Sequence, residues 1–246
     1  MFEQYIRELR GILDRIATTQ ADPIQCAGAA VAAALGAGGI VHAFGSGHSH
    51  LIAEEAFFRA GGIVPVSPIL DERLTFLRGA LESTHAEREP EFAARLLEKA
   101  NVAAGDAAII ISNSGRNALP IEMAMEMKAR RVAVVAITSL EHSQSSPAIH
   151  SSGRRLFELA DITIDNGAPL GDSAMKIPGL DRRMGPVSTV TGAAIVHSIM
   201  MEAAVELLRT GVSVPVFQSV NVPGADDTEL NRLMRCYSGR IRYFDV

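Results

Sequence analysis

The chain has 246 residues, of which 48% are hydrophobic and 21% charged, and its formal net charge is −5 at pH 7. This composition is typical of a globular protein, and the acidic balance argues against nucleic acid or an anionic membrane as partner. Cys26 and Cys236 cannot form a disulfide framework, and neither stands in a metal-ligand spacing. The N-terminus lacks the apolar core of a signal peptide, and no run approaches the roughly 20 apolar residues of a membrane span. We therefore expect a cytoplasmic protein without a membrane partner.

Short apolar runs alternate with helical patterns along most of the chain. An amphipathic helix is predicted over residues 2–17, and an alanine-rich helix follows, with Asp22 as its N-cap and Pro23 at its first position. Buried strands are predicted at 40–44, 63–67, 107–111, 132–138 and 161–165. This alternation predicts an α/β fold in which a five-stranded parallel sheet carries helices on both faces.

The remaining segments complete the predicted organisation. Further helices are expected at 51–60, 91–99, 192–208 and 228–236, whereas 139–150 and 168–188 are expected to be irregular. Residues 1–210 form the predicted main domain. Residues 211–246 form a C-terminal extension that is too short for a core of its own, so we expect it to pack on the domain or on a partner subunit.

Two polar loops each stand between a predicted strand and a predicted helix. The first is GSGHS at 45–49, and the second is SNSGRN at 112–117, followed by a helix with Pro120 in its first turn. At the carboxyl ends of neighbouring parallel strands, such loops bring hydroxyls, free N–H groups and a helix dipole to an anion. The alternative is two ordinary turns that use Ser and Asn as caps. The predicted phosphate-binding residues are Gly45, Ser46, Gly47, Ser49, Ser112, Asn113, Ser114, Gly115 and Asn117.

Two other glycine-loop signatures fit the first loop poorly. The dinucleotide-binding fingerprint requires a third glycine where His50 stands. A mononucleotide P-loop requires a lysine after the glycines, and the chain has none there.

The pair of loops, in this order, resembles the sugar isomerase (SIS) domain of phosphosugar isomerases and phosphosugar-binding regulators, over roughly residues 20–210. The resemblance implies a three-layer αβα, flavodoxin-like sandwich and a sugar phosphate as ligand. It also implies that Ser49, Ser112 and Ser114 hold the phosphate, together with Asn117, which stands where the family usually has Thr. The chain is most similar to bacterial single-domain proteins described as phosphosugar or phosphoheptose isomerases.

The resemblance further implies two catalytic residues, Glu72 and His197. In the isomerase half of glucosamine-6-phosphate synthase a Glu lies nine residues past the start of the strand after the first helix, and counting from Ile63 leads to Glu72. In phosphoheptose isomerase a catalytic His precedes a Glu by nine residues in the last core helix, as His197 precedes Glu206. Alternatively, Glu72 is a solvated ion-pair partner and His197 a satisfied core residue.

We predict no cofactor and no metal. His50 and Glu54 share a helix face at i, i+4, a spacing that could hold a metal. Phosphoheptose isomerase, however, uses a His and a Glu at the positions where this chain has Glu55 and Arg59, which speaks against a zinc requirement.

The predicted activity is aldose–ketose isomerisation of a sugar phosphate through an enediolate, in which a base removes a proton next to a carbonyl. Two alternatives remain open: a lyase that cleaves an amino-sugar phosphate ether, as related SIS proteins do, and a non-catalytic phosphosugar sensor. We also expect a homodimer or homotetramer, because the first helix has a full apolar stripe and the extension carries Val214, Val216 and Phe217.

Overall fold

A computed structural model describes residues 1–223 and 227–244 of the chain. Positions 224–226 and 245–246 of the predicted C-terminal extension lie outside the described residues. The helices are α1 Phe2–Thr19, α2 Ala21–Gly36, α3 Ser49–Glu55, α4 Ala80–Ala86, α5 Phe92–Leu97, α6 Ala118–Ala129, α7 Leu140–Gln144, α8 Ser188–Arg209 and α9 Asp227–Tyr237. The strands are β1 Val41–Gly45, β2 Val66–Ile69, β3 Ala107–Ile111, β4 Ala133–Thr138, β5 Ile162–Asp165, β6 Ser173–Met175 and β7 Met184–Pro186.

The first five strands form one parallel sheet in the order β2-β1-β3-β4-β5. Side chains on one face, such as Val41 and Ile109, pack in a cluster with residues of α2, α3 and α8. Side chains on the other face, such as Phe44 and Ile110, pack with residues of α5 and α6. Helices on both faces explain why the central strands β3 and β4 are almost entirely apolar, and the predicted three-layer αβα fold is confirmed.

The second strand lies three residues later than predicted. Pro65 interrupts the predicted 63–67 strand because it has no N–H to donate to a neighbouring strand. Ile63 instead forms an antiparallel bridge with Val216 of the C-terminal extension, and the parallel ladder begins only at Val66. Glu72 therefore lies six residues past the start of the strand, not the nine that were counted from Ile63.

Two predicted helix ends are wrong. Asp22 does not cap the second helix, because α1 runs directly into α2 and Gln20 occupies the cap position between them. The third helix ends at Glu55, short of the predicted residue 60, because the N–H of Phe57 bonds to the carbonyl of Glu54 and Phe58 takes a positive φ of 45°.

Two segments predicted to be irregular contain regular structure. Residues 139–150 include α7, whose N-cap Ser139 accepts a hydrogen bond from the N–H of His142. Residues 168–188 contain the antiparallel pair β6–β7 and the beginning of α8. Asp172 supports that beginning, because its Oδ1 accepts hydrogen bonds from the N–H groups of Val187 and Ser188, at 3.0 and 2.8 Å. The capping residue Asp172 lies sixteen residues before Ser188, so a search for capping residues next to the helix does not find it.

Helix α8 is long and apolar enough, by length and composition alone, to cross a membrane. In the fold it is a core helix. Ile195, Ile199, Ala203 and Leu207 are buried in the cluster that it shares with α2. Core helices of globular proteins pass the same composition test.

The C-terminal extension completes a third apolar cluster with the main domain. Phe217, Ile241 and Phe244 are buried there against Ile40 and Val64. Phe217 is thus covered within its own chain, which removes it from the argument for a partner subunit. The cluster explains how an extension without its own core becomes ordered.

A buried carboxylate fixes the end of this extension to the sheet. Asp106, just before β3, accepts hydrogen bonds from Nη2 of Arg240 at 2.7 and 2.9 Å, from Nε2 of His42 at 3.0 Å, and from two backbone N–H groups. Burial disfavours the Asp106 carboxylate, but the hydrogen bonds from His42, the two backbone N–H groups and Arg240 outweigh burial and hold the pKa of Asp106 well below its ordinary value.

We expect Asp106→Asn to lower the free energy of unfolding by about 3 kcal/mol at pH 7, because it removes one charge of a largely buried, hydrogen-bonded pair. Since the folded-state pKa of Asp106 is depressed, its stabilisation is complete above the unfolded-state pKa of about 4 and is lost as the pH falls below it. Urea unfolding between pH 7 and pH 3 measures this. The exposed substitution Asp181→Asn serves as the control. A constant difference between wild type and Asp106→Asn at every pH would contradict the prediction.

Candidate functional site

The two polar loops leave the sheet side by side. Gly45 at the end of β1 is in register with Ile111 at the end of β3. The segments 45–49 and 112–117 therefore begin at the same level of the carboxyl edge. The helix after β1 covers one face of the sheet and the helix after β3 covers the other, so the loops flank the switch point of the strand order.

The first loop is tightly wound against the start of α3. A Cβ on Gly45 would lie only 2.3 Å from the carbonyl oxygen of Ser49, so the position requires glycine. The N–H of Gly47 bonds to the carbonyl of Leu74, and the N–H groups of Ser49 and His50 bond within the loop. These three backbone donors are therefore engaged, contrary to the expectation that free N–H groups would receive the anion.

Glu87 joins the two loops. Its Oε1 accepts a hydrogen bond from Oγ of Ser46 at 2.8 Å, and its carbonyl accepts one from the N–H of Leu119 in the first turn of α6. The hydroxyl proton of Ser46 is thus directed at a carboxylate and not at a ligand. Nothing in the polar segment 79–92 marks Glu87 from sequence alone, because its two partners are distant in the chain.

The second loop is held from within. Oγ of buried Ser112 accepts a hydrogen bond from the N–H of Gly115, and the amide oxygen of Asn113 accepts one from Nδ2 of Asn166 at 3.0 Å. Gly115 has a φ of 58°, which favours glycine there. Ser112 and Asn113 therefore shape the loop, and Ser112 retains its own hydroxyl proton for donation.

Three predicted side chains remain available for a ligand. Within residues 1–223 and 227–244, the side chains of Ser49, Ser114 and Asn117 have no hydrogen-bond partner, and all three residues are half-buried. Asn117 stands at the N-cap of α6 without capping it. The loops thus present neutral donors at the starts of α3 and α6, which suits a phosphate.

Arg116 supplies fixed positive charge to the second loop. Its Nε donates a hydrogen bond to the carbonyl of Pro147, which holds the guanidinium on the 139–155 side of the loop. Burial lowers the pKa of nearby His142, and the charge of Arg116 lowers it further, so His142 remains neutral at pH 7.

Glu72 lies on a short 3₁₀ helix, Glu72–Leu74, just after β2. Its side chain is 66% exposed, and its Oε2 lies 3.1 Å from Nη2 of Arg78. It lines a cavity of about 380 Å³ along the free edge of β2, which none of the predicted phosphate-binding residues lines. The short helix that carries Glu72 nevertheless meets the first loop, because the carbonyl of Leu74 accepts the hydrogen bond from the N–H of Gly47.

His197 lies on α8 beside the end of α3. Its Nε2 is 3.2 Å from Oε1 of Glu55, and the same carboxylate oxygen is 2.8 Å from Nη1 of Arg59. Both His197 and Glu55 are about one-third exposed, and His197 lines a second cavity of about 310 Å³. In the sequence, Glu55 and Arg59 stand out only as departures from a metal-binding pattern. The contact of Glu55 with His197 becomes visible only in the fold.

His50 and Glu54 form the predicted pair on α3, with Nε2 and Oε1 3.3 Å apart. Among the described residues, no group of three or more His, Cys, Asp and Glu side chains is arranged to hold a metal ion.

Comparison with known proteins identifies the family. The family model of the SIS domain matches residues 4–139, more than half of the chain. A UPF0309 protein from Geobacillus thermodenitrificans is 40% identical over 241 residues, which cover 98% of this chain and 96% of that protein. The chain belongs to the SIS domain family, as the two loops indicated.

Solved structures share the fold at low sequence identity. The phosphoheptose isomerase GmhA from Neisseria gonorrhoeae is 16% identical, with a TM-score of 0.55 over 82% of this chain and 94% of that chain. The Vibrio vulnificus NanR protein, complexed with ManNAc-6P, is 14% identical, with a TM-score of 0.52 over 85% of this chain and 64% of that chain.

We expect Ser49→Ala combined with Ser114→Ala to weaken binding of a sugar phosphate by about 2–3 kcal/mol, at roughly 1.5 kcal/mol per charge-assisted hydrogen bond. Titration calorimetry with glucose 6-phosphate measures the loss. The matched control is Ser151→Ala with Ser213→Ala, two exposed serines outside the loops. Unchanged affinity in the Ser49/Ser114 variant would show that the phosphate binds elsewhere.

Proposed function

We propose that this protein is an aldose–ketose isomerase that acts on a sugar phosphate through an enediolate. Membership of the SIS family and the donors at the two loops support the phosphosugar part of the proposal. The contact between His197 and Glu55 carries the catalytic part, because it offers a positioned acid/base beside a cavity. A cytoplasmic location belongs to the same proposal.

Helix α3 connects the two halves of this proposed site. Ser49 is its first residue and Glu55 its last, so at about 1.5 Å per residue they lie roughly 9 Å apart along the axis. That span is of the order of one extended sugar phosphate. The proposal therefore places the phosphate at Ser49 and the carbonyl end of the sugar at the far end of α3, beside the cavity that His197 lines.

The proposed proton transfer uses His197 as the base. Nε2–H of His197 donates to Glu55, which leaves Nδ1 as the basic nitrogen, and Arg59 forms an ion pair with the same carboxylate. His197 removes the proton from the carbon next to the carbonyl, which gives an enediolate, and returns it to the former carbonyl carbon. The hydroxyl proton moves from one enediolate oxygen to the other, so the carbonyl and hydroxyl exchange places and no redox partner is needed. In this scheme Glu55 is a positioning residue.

Glu72 remains the competing candidate for the base. The ion pair of Glu72 with Arg78 favours His197 over Glu72 as the base. The two cavities share no lining residue, so one sugar in one subunit does not contact both side chains.

Binding without isomerisation is the second candidate function. NanR, which shares this fold, is complexed with a sugar phosphate, and a phosphosugar sensor needs only the loops. A lyase acting on an amino-sugar phosphate also needs an acid/base beside a phosphate cradle. Hydrogen exchange with solvent and analysis of the products distinguish the isomerase, the lyase and the sensor.

We expect His197→Asn to lower turnover by on the order of 10²–10⁴, because it removes the proton-transfer group and leaves the phosphate donors in place. NMR in deuterated water follows exchange of the C2 hydrogen in five-, six- and seven-carbon aldose phosphates. Glu55→Gln should lower the rate and shift its pH profile, and the exposed His85→Asn is the control.

Loss of exchange in Glu72→Gln but not in His197→Asn would assign the base to Glu72 and overturn the proposed role of His197. If the wild-type protein binds these sugars without exchange and without cleavage, the sensor function is correct.

We further infer a homodimer or homotetramer. Met201, Val205 and Leu208 on α8 are 62%, 62% and 64% exposed, at the i, i+4, i+7 spacing of a helix seam. A second copy of the same face would cover this apolar stripe in a symmetric, self-complementary contact.

We expect light scattering at micromolar concentration to give a multiple of the monomer mass and Val205→Asp to give the monomer mass. A charge in the middle of a buried helix seam would have to be desolvated, which weakens the contact. Ser151→Asp, at an exposed position away from α8, should keep the oligomer. A monomeric wild-type protein would contradict this inference.

A further inference from the structure

The 380 Å³ cavity at the free edge of β2 has no part in the proposed isomerisation at His197. Its walls come from β2, α3, the end of α5 and the C-terminal extension. Its volume falls in the range of small-molecule sites, and it is the larger of the two cavities considered above.

The deepest polar groups of this cavity lack partners. Ser67 and His50 are 3% and 2% exposed, and both line the cavity. Nδ1 of His50 has no hydrogen-bond partner in the described part of the chain, and neither does the Ser67 hydroxyl. A buried polar atom without a partner, such as Nδ1 of His50, costs free energy, and the Ser67 hydroxyl is open to bond with a hydroxyl group of a ligand.

Both signs of charge line the same cavity. Lys99 and Arg242 have no carboxylate partner within residues 1–223 and 227–244. Three carboxylates line the cavity: Glu72 is paired with Arg78, and Asp71 accepts a hydrogen bond from the N–H of Arg73. Glu54 is half exposed and contacts only the ring of His50. A ligand with one anionic and one cationic group would match Lys99 and Arg242 on the one hand and Glu54 on the other.

The wall formed by the C-terminal extension is held in place without a ligand. Arg240 is fixed by Asp106, and Phe244 is buried, so Arg242 and Tyr243 are anchored on both sides. Burial raises the pKa of Tyr243, which keeps its hydroxyl a neutral hydrogen-bonding group. A preformed wall lowers the ordering cost of binding.

We propose that this cavity is a second small-molecule site that binds an amino sugar phosphate. Lys99 and Arg242 bind the phosphate, Glu54 binds the ammonium group, and Ser67 and His50 bond to hydroxyls at the floor. The site is independent of the two loops, and it does not depend on the proposed isomerase activity.

Titration calorimetry with glucosamine 6-phosphate tests this proposal on the full chain. We expect two equivalents per chain for the wild type, one at the loops and one in the cavity. Lys99→Gln with Arg242→Gln should remove the cavity equivalent, since each charge-assisted bond to phosphate contributes about a tenfold factor. Lys176→Gln with Arg235→Gln, which changes the net charge equally at exposed positions outside the cavity, should keep both equivalents.

Two further arms test the chemistry. The variant Ser49→Ala with Ser114→Ala should still bind one equivalent in the cavity. When Glu54→Gln is added to this variant, the affinity for glucosamine 6-phosphate should fall about tenfold and the affinity for glucose 6-phosphate should not change. If the wild type binds only one equivalent of glucosamine 6-phosphate, and this binding is kept in the Ser49/Ser114 variant but lost in the Lys99/Arg242 variant, the ligand binds in the cavity. That result would refute phosphate binding at the loops.

Binding that is insensitive to the Lys99/Arg242 substitution would overturn the proposal. Equal affinity of the cavity for glucose 6-phosphate and glucosamine 6-phosphate would overturn the assignment of Glu54 to the ammonium group.

Discussion

The parallel pairing of β1 with β3 is the contact on which the site depends. These strands are not consecutive in sequence, and the helices that follow them pack on opposite faces of the sheet. The loops 45–49 and 112–117 therefore diverge from one point and leave a crevice at the carboxyl edge. Gly45 keeps the first loop close to this point, because any side chain there would collide with Ser49. Without that close approach, the hydroxyls of the two loops would not face a common ligand.

Helix α3 runs from this crevice to the neighbourhood of His197. Its first residue, Ser49, belongs to the first of the two proposed phosphate-binding loops, and its last, Glu55, contacts His197 on α8. On another side of the same helix, His50 and Glu54 face the cavity that the C-terminal extension closes. The two cavities share no lining residue, so the two proposed ligands would not displace each other.

Sequence patterns captured the sheet and the positions of the two loops, because buried parallel strands and glycine-serine loops leave short-range signals. They missed the start of β2, since the effect of Pro65 depends on which strands flank it. They also missed the bridge made by Glu87 and the contact of Glu55 with His197, which join residues 41 and 142 positions apart. Free backbone donors were expected at the first loop, and the fold uses those of Gly47, Ser49 and His50 internally.

The central claim is that one sugar phosphate extends along α3 from the two loops to His197. A crystal structure with sorbitol 6-phosphate, an unreactive analogue of a hexose phosphate, tests it most directly. The account predicts the phosphate within hydrogen-bond distance of Ser49 and Ser114, and the first two carbons of the sugar beside the imidazole of His197. A sugar chain that instead runs from these serines toward Glu72, or a phosphate bound away from both loops, would contradict the account.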